Sequence, residues 1–224
     1  MNTSTAKGYK GTGLDGWTAH WYAKTRRNDM EQFRESARRI AQRLRDGNSL
    51  LEIAPGPGFF ALELAKLGNF RITGLDISRT MVEIARQNAA QAGVTADFQL
   101  GNAAAMSFGD ASFDFVYCSA AFKNFTEPVK ALNEMHRVLR PGGEAVIDDL
   151  CKDTPMEEID RYVEKSGRGA IDGWLTKMAF RVMLLKRAYS RSDFEQMASQ
   201  SRFARCTVSA DGIGLEVRFL KERP

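Results

Sequence analysis

Apolar and polar positions alternate along the chain in three different ways. Met30, Phe33, Ala37, Ile40, Ala41 and Leu44 recur at helical spacing and stop before Gly47. Asn28 and Glu31 stand at the spacing of a capping box in front of that helix. From Ser49 the pattern changes to short apolar runs separated by helix-length segments. "SLLEIA", "FRITGLD", "TADFQLGN", "SFDFVYCSA" and "EAVIDDL" read as strands. "FFALELAKLG", "SRTMVEIARQNAAQAG" and "TEPVKALNEMHRVLR" read as the helices between them, stopped by Gly68, Gly93 and Pro141-Gly142-Gly143. This alternation predicts an α/β fold with a doubly wound, mostly parallel sheet.

After Leu150 the alternation breaks. "TPMEEIDRYVEKSG" and "AIDGWLTKMAFRVMLLKRAY" read as inserted helices, and Ser192 with Glu195 as a second capping box. The last segment reads as two strands joined by a turn near Asp211-Gly212, an antiparallel terminal hairpin that brings the sheet to seven strands. The expected division is a flexible N-terminus over 1–16, N-terminal cap or lid helices over 17–47 and a ligand-binding core over 48–150. Inserted lid helices over 151–191 and a last helix with the hairpin over 192–224 complete it.

Composition narrows this picture. The 224 residues, 43% hydrophobic and 27% charged, suit one soluble globular domain with appended helices. No run approaches the ~18 apolar residues of a membrane span, and the opening residues have no apolar signal core. Three cysteines without a CxxC spacing argue against a disulfide framework or zinc site and for a reducing, cytoplasmic setting. Two distant histidines, His20 and His136, predict no metal. The net charge of +4 permits an anionic partner without demanding nucleic acid.

Open parallel sheets bind ligands beyond the carboxyl ends of their strands. The first such end here is Ala54-Pro55-Gly56-Pro57-Gly58. Its glycines let backbone amides approach a ligand, and the helix that follows turns its positive end toward an anion. Alone, the segment equally fits a tight strand-to-helix corner. Asp76 changes the balance: it lies 20 residues after Gly56, at the end of the second strand, where a carboxylate can accept both hydroxyls of a ribose. A dinucleotide loop would carry a third glycine, but Phe59-Phe60-Ala61 follow Gly58, and two prolines remove amide donors that a pyrophosphate needs. A nucleoside-linked amino acid suits the loop better.

"LLEIAPGPG", "GLDIS", "LGNAAAMSFGDASFDFVYCSAAF" and "ALNEMHRVLRPGG", in this order over residues 49 to 150, resemble the class I S-adenosylmethionine-dependent methyltransferases. "FKNFTEPVKALNEMHRVLRPGG" is most similar to the ubiquinone/menaquinone C-methyltransferase branch. The resemblance implies a Rossmann-like core with S-adenosylmethionine as cofactor and S-adenosylhomocysteine as product. It implies that Glu52 orients the loop and approaches the methionine ammonium, with Ala54 in place of the family's first glycine. Gly56 and Gly58 would approach the methionine and ribose, and Asp76 would bind the ribose. Ile77 and Met81 would flank the adenine; core packing is the alternative for both, and an equal one for Met81. Asn102 and Ala103 would face the adenine amine, and Ser119 would sit beside the transferring methyl.

The acceptor is expected to be small and hydrophobic or aromatic. "CSAAFKN" after the fourth strand lacks the Asp/Asn-Pro-Pro-aromatic signature of DNA amine methylation. Lys123 could orient an anionic or enolised oxygen, or be a solvated lysine at the start of a helix, and His20 could serve as general base. Trp21, Tyr22, Phe122, Asn124, Trp174 and Met178 are the expected acceptor-binding residues. The arginine face Arg34, Arg38, Arg39, Arg43 and Arg45 leaves an RNA or protein methyltransferase open, and the altered loop leaves a non-catalytic binding protein open. A basic insert face could also touch a membrane surface peripherally. A nicotinamide oxidoreductase is disfavoured by the missing glycine, and the oligomeric state is left open.

Overall fold

The computed structural model describes residues 8–10, 14–165 and 185–223. Helix α1 (Trp17–Arg26) runs through a 3₁₀ turn (Arg27–Asp29) into α2 (Met30–Ala41). The capping box expected at Asn28 does not form. Asn28 lies inside the 3₁₀ turn, and the residue before α2 is Asp29, at φ −101° and ψ 19°, with no side-chain capping bond. An ion pair between Arg26 and Asp29, at 2.6 Å, spans the join.

The alternating region folds as β1 (Ser49–Ile53), α3 (Phe59–Ala65), β2 (Arg71–Asp76), α4 (Arg79–Ala92), β3 (Asp97–Leu100), β4 (Phe113–Ser119), α5 (Pro128–Val138) and β5 (Leu139–Leu150). Ser78 caps α4 by accepting the Met81 amide at 3.1 Å. Helix α6 (Met156–Lys165) opens the insert, and Trp174 and Met178 lie outside the described residues. Helix α7 (Arg191–Ser199) has its capping box at Ser190 and Asp193, two residues earlier than the sequence suggested at Ser192 and Glu195. Ser190 wins because its backbone is extended and its hydroxyl accepts the Asp193 amide at 3.1 Å. Strands β6 (Thr207–Asp211) and β7 (Gly214–Leu220) form the terminal hairpin.

The seven strands lie in the order β3-β2-β1-β4-β5-β7-β6. β1 to β5 are parallel, and β7 runs antiparallel to both β5 and β6. Strand order reverses between β1 and β4, so a crevice opens beyond their carboxyl ends. Adjacent strand residues face opposite sides of the sheet. Leu51, Ile53, Val116 and Cys118 pack under α5 and α7, while Leu50, Phe115 and Tyr117 pack under α2, α3 and α4. Phe60 and Tyr117 meet at 4.4 Å between ring centroids, and the Tyr117 hydroxyl donates to Asp148 at 2.6 Å.

The arginine face of α2 is only partly a solvent face. Arg39 pairs with Asp148 and Glu216, and Arg43 with Glu144 and Glu216, all four contacts lying on β5 and β7. The helix is therefore held to the sheet by charge as well as by Ala37 and Ile40. Guanidinium groups spent in this way are withdrawn from any polynucleotide.

Candidate active site

The loop after β1 makes a sharp turn with Ala54, Gly56 and Gly58 all at positive φ, +56°, +53° and +78°. The Ala54 amide donates to the Leu75 carbonyl at 2.8 Å, fastening the loop to β2. The Asp76 carboxylate accepts the Gly56 amide at 3.0 Å and the Ser78 amide at 2.9 Å. The Ile77 amide also bonds this carboxylate, so three backbone amides share its four acceptor sites. Burial raises the Asp76 carboxyl above its usual range, against the pull of those amides.

Glu52 lies in the middle of the parallel sheet, 4% exposed. Its Oε2 is buried without a hydrogen-bond partner. Burial pushes its carboxyl up to about 8, with repulsion from Asp76 adding to the effect and a bond from the Ala61 amide opposing it.

Three connected spaces meet above these residues. An inner cavity of about 120 Å³ is lined by Ala54, Gly56, Asp76, Ile77, Met81, Asn102, Ala103, Ser119 and Asn124 among others. A small recess of about 50 Å³ contains Glu52, Ala54, Gly56 and Tyr117. An outer cleft of about 740 Å³ carries Tyr9, Tyr22, Phe33, Tyr162 and Leu215. Tyr22, Ser119 and Ala120 line all three.

The expected residues thus fall into two sets. Glu52, Ala54, Gly56, Asp76, Ile77, Met81, Asn102, Ala103, Ser119, Tyr22 and Asn124 border the spaces. Met81 does so while also packing on Ala19, Ala23 and Ile84. Asn102 already uses its Oδ1 on the Ala104 amide, at 2.9 Å. Gly58 lies beneath the loop, where a Cβ would meet Phe98 at 2.9 Å, so its lack of a side chain serves helix packing.

Three expectations are corrected, and the solvated alternative for a fourth residue, Lys123, is set aside. His20 is exposed on α1 and borders none of the three spaces, which leaves it no path to a reacting atom. Trp21 is 62% exposed and also turns away. Phe122 is fully buried, stacked on Phe194 at 5.7 Å in the core behind β4. Lys123 borders the outer cleft but is neither solvated nor free. Its Nζ donates to Asp149 and to the Ala120 carbonyl, each at 2.6 Å, and its own amide donates to Asp149 at 2.9 Å.

Sequence reasoning missed the roof. Residues 8–10, expected within a flexible terminus, form a strap. Tyr9 bridges to Phe125, the Lys10 amide donates to the Asn124 carbonyl at 2.6 Å, and Lys10 Nζ donates to the Tyr189 hydroxyl at 2.8 Å. Tyr9 and Leu14 then border both the inner cavity and the outer cleft. No spacing announces such a segment, since its bonds are to the far end of the chain. Asp148-Asp149, at the end of β5, was a readable signal, because paired acids at a strand's carboxyl end stand where ligands bind.

Fold and site together define an α/β domain with an acid ending β2, a glycine turn after β1, and a crevice at the reversal of strand order. Residues 51–147 match the family model described as "Methyltransferase domain". Over 99 residues the chain is 39% identical to a demethylmenaquinone methyltransferase of Deinococcus radiodurans, covering 44% of this chain and 41% of that protein. It is 33% identical over 140 residues to the O-methyltransferase resE of Aspergillus sclerotiorum, covering 60% and 53%. The chain spans about half the length of these curated relatives. A solved S-adenosylmethionine-dependent methyltransferase from Aquifex aeolicus shares the fold, with TM-score 0.63, 18% identity and coverage of 83% and 89%. Residues 51–147 are a methyltransferase domain of the class I S-adenosylmethionine-dependent family.

Proposed function

We propose that the whole chain methylates a small aromatic or otherwise hydrophobic acceptor held in the outer cleft. In this reading residues 48–150 are the cofactor-binding core, 17–47 and 151–191 its cap and lid, and 192–224 the closing helix and hairpin. Residues 8–10 supply the strap. The observation that carries it is the position of Ser119 and Ala120, which border the inner cavity and the aromatic outer cleft alike.

The residues present fit S-adenosylmethionine. The unpartnered Glu52 Oε2 is a buried acceptor suited to an ammonium group. Asp76 keeps an acceptor site for a ribose hydroxyl, Asn102 brings an amide toward a base edge, and Ile77 and Leu14 offer apolar walls. Gly56 leaves the approach open, since a Cβ there would meet only Tyr22 at 4.0 Å. When bound, S-adenosylmethionine supplies an electrophilic methyl group on a sulfonium centre. The chain's task is then alignment and exclusion of water, which Tyr9, Leu14 and Tyr22 perform as the roof. The inner cavity is smaller than the about 300–1,000 Å³ of ordinary ligand sites, so the roof must lift to admit a ligand.

Lys123 acts through structure in this scheme, pinning the Ala120 carbonyl at the mouth of both spaces. Phe33, Tyr9, Tyr22 and Tyr162 favour a flat acceptor, and the quinone and O-methyltransferase relatives point to a ring bearing hydroxyls. A phenol that ionises near neutral pH needs no strong base. The chain has no helix long and apolar enough to cross a membrane among the described residues, and Cys118, Cys151 and Cys206 are free thiols. Both support a cytoplasmic site of action, with peripheral membrane contact a route to an apolar acceptor.

Calorimetric titration with S-adenosylmethionine, S-adenosylhomocysteine and NADH tests the cofactor, and labelled-methyl transfer to quinols, phenols and carboxylic acids tests the acceptor. Binding of both sulfur nucleosides, none of NADH, and transfer to a phenolic ring are the expected results. Failure of a folded sample to bind either nucleoside would overturn the reading.

A further inference from the structure

The opposite end of the sheet holds a second cavity, of about 570 Å³, where β1, β4 and β5 begin. It belongs to neither the cofactor space nor the acceptor cleft. Six arginines line it, Arg43, Arg45, Arg140, Arg205, Arg218 and Arg223, against three acids, Asp114, Glu144 and Glu222.

Four of the arginines reach those acids. Arg43 and Arg218 meet Glu144 at 3.4 and 2.6 Å, Arg140 meets Asp114 at 2.7 Å, and Arg205 meets Glu222 at 2.5 Å. Arg45 and Arg223 have no carboxylate partner among the described residues. Arg223 lies across the turn at Gly142, where φ is +82° and a Cβ would stand 2.8 Å from its Nε. The positive φ is what calls for glycine there, since the arginine could swing aside from a Cβ.

We infer that this cavity binds a small phosphate-bearing ligand. Guanidinium groups present paired N–H donors that match the oxygens of a phosphate, and several converging forks select multiply charged anions over chloride. Six guanidinium groups against three carboxylates leave an excess of positive charge around the cavity, with Arg45 and Arg223 both exposed to an incoming anion. The volume lies within the about 300–1,000 Å³ typical of small-molecule sites. A polynucleotide is the poorer fit, because Phe115 and Phe219 in the wall are buried in their strands, 2% and 0% exposed, and offer no stacking face.

The test is calorimetric titration of the full chain with inorganic phosphate, pyrophosphate and tripolyphosphate. Saturable binding that tightens with the number of phosphates is expected. The double variant Arg45→Gln/Arg223→Gln should weaken it by about tenfold or more. Arg45→Lys/Arg223→Lys should recover part of the loss, because charge remains and the fork does not. Neither residue touches the methyl-transfer site, so S-adenosylhomocysteine affinity should be unchanged in all variants and should confirm that they fold. Vesicles containing phosphatidic acid that bind and are released by the same substitutions would identify a lipid headgroup as the source of the phosphate. Absence of saturable binding by all of these probes would overturn the inference. So would binding that the double variant leaves intact, displacement of phosphate by S-adenosylhomocysteine, or an RNA oligonucleotide binding more tightly than tripolyphosphate.

Discussion

The Asp76 carboxylate holds the Gly56 amide at 3.0 Å, tying the end of β2 to the turn after β1. One side chain thus shapes the loop and faces the space beneath it. Asp76→Ala removes both functions and should abolish S-adenosylmethionine binding. Asp76→Asn keeps one acceptor oxygen but cannot serve Gly56, Ser78 and a diol together, and should weaken binding by about ten- to a hundredfold. Calorimetry on both variants, with circular dichroism to confirm folding, checks this. Unchanged affinity in Asp76→Ala would remove Asp76 from the cofactor site.

Glu52 makes cofactor affinity depend on pH. Its carboxyl, raised to about 8, is neutral near pH 7 in the empty protein, while an ammonium ligand favours the ionised form. Binding below about pH 8 therefore releases a proton, and affinity should climb by up to about tenfold per pH unit from about pH 6 before levelling off. Stability of the empty protein moves the other way. The folded value lies above the ordinary 4.5, so this group's contribution is complete below that value and is lost as pH rises toward about 8. Glu52→Gln should flatten both profiles, read by calorimetry and by thermal melts.

Lys123 and Asp149 form a pair in which the side chains are 7% and 1% exposed. Removing one partner strands the other, so Lys123→Met should destabilise the protein by about 3–5 kcal/mol. Lys123→Met/Asp149→Leu should recover most of that loss. Urea denaturation gives the stabilities. Methyl transfer retained in the double variant would establish that Lys123 positions the turn and touches no acceptor.

Ala54 sits at φ +56°, a left-handed conformation that costs a residue with a Cβ about 1–2 kcal/mol. Ala54→Gly should raise stability by about 1 kcal/mol, less the entropy that glycine adds to the unfolded chain. A measured loss of stability would mean that the methyl group packs usefully in the recess.

His20→Ala should leave kcat/KM within about twofold, since an exposed imidazole remote from the clefts stabilises no transition state. A large fall with folding intact would place α1 differently during turnover.

Much of this was legible in the chain. Strands of the core announced themselves because parallel strands buried on both faces are continuous apolar runs, as in "SLLEIA". Asp76 was legible because a fixed distance separates the two strand ends that build the crevice. The caps at Asn28 and Ser192 were misplaced because a capping motif reports residue types, and the choice among neighbouring serines or asparagines depends on which backbone is extended. Lys123 was misread because its partner, Asp149, lies 26 positions away on another strand. The roof was invisible because its bonds run from Lys10 to Asn124 and Tyr189, and no local period encodes a contact of that range.

That strap has a consequence for the order in which the molecule is made. Lys10 and Tyr189 are 179 positions apart. During synthesis the strap leaves the ribosome before any of the surfaces it docks on: Asn124 and Phe125 emerge first, and Tyr189 only later. The nascent core can assemble its sheet from β1 to β5 in that interval, with its crevice still open to the surrounding solution. The bond that ties the strap to Tyr189 is thus made late, after the strands that build the crevice have been translated.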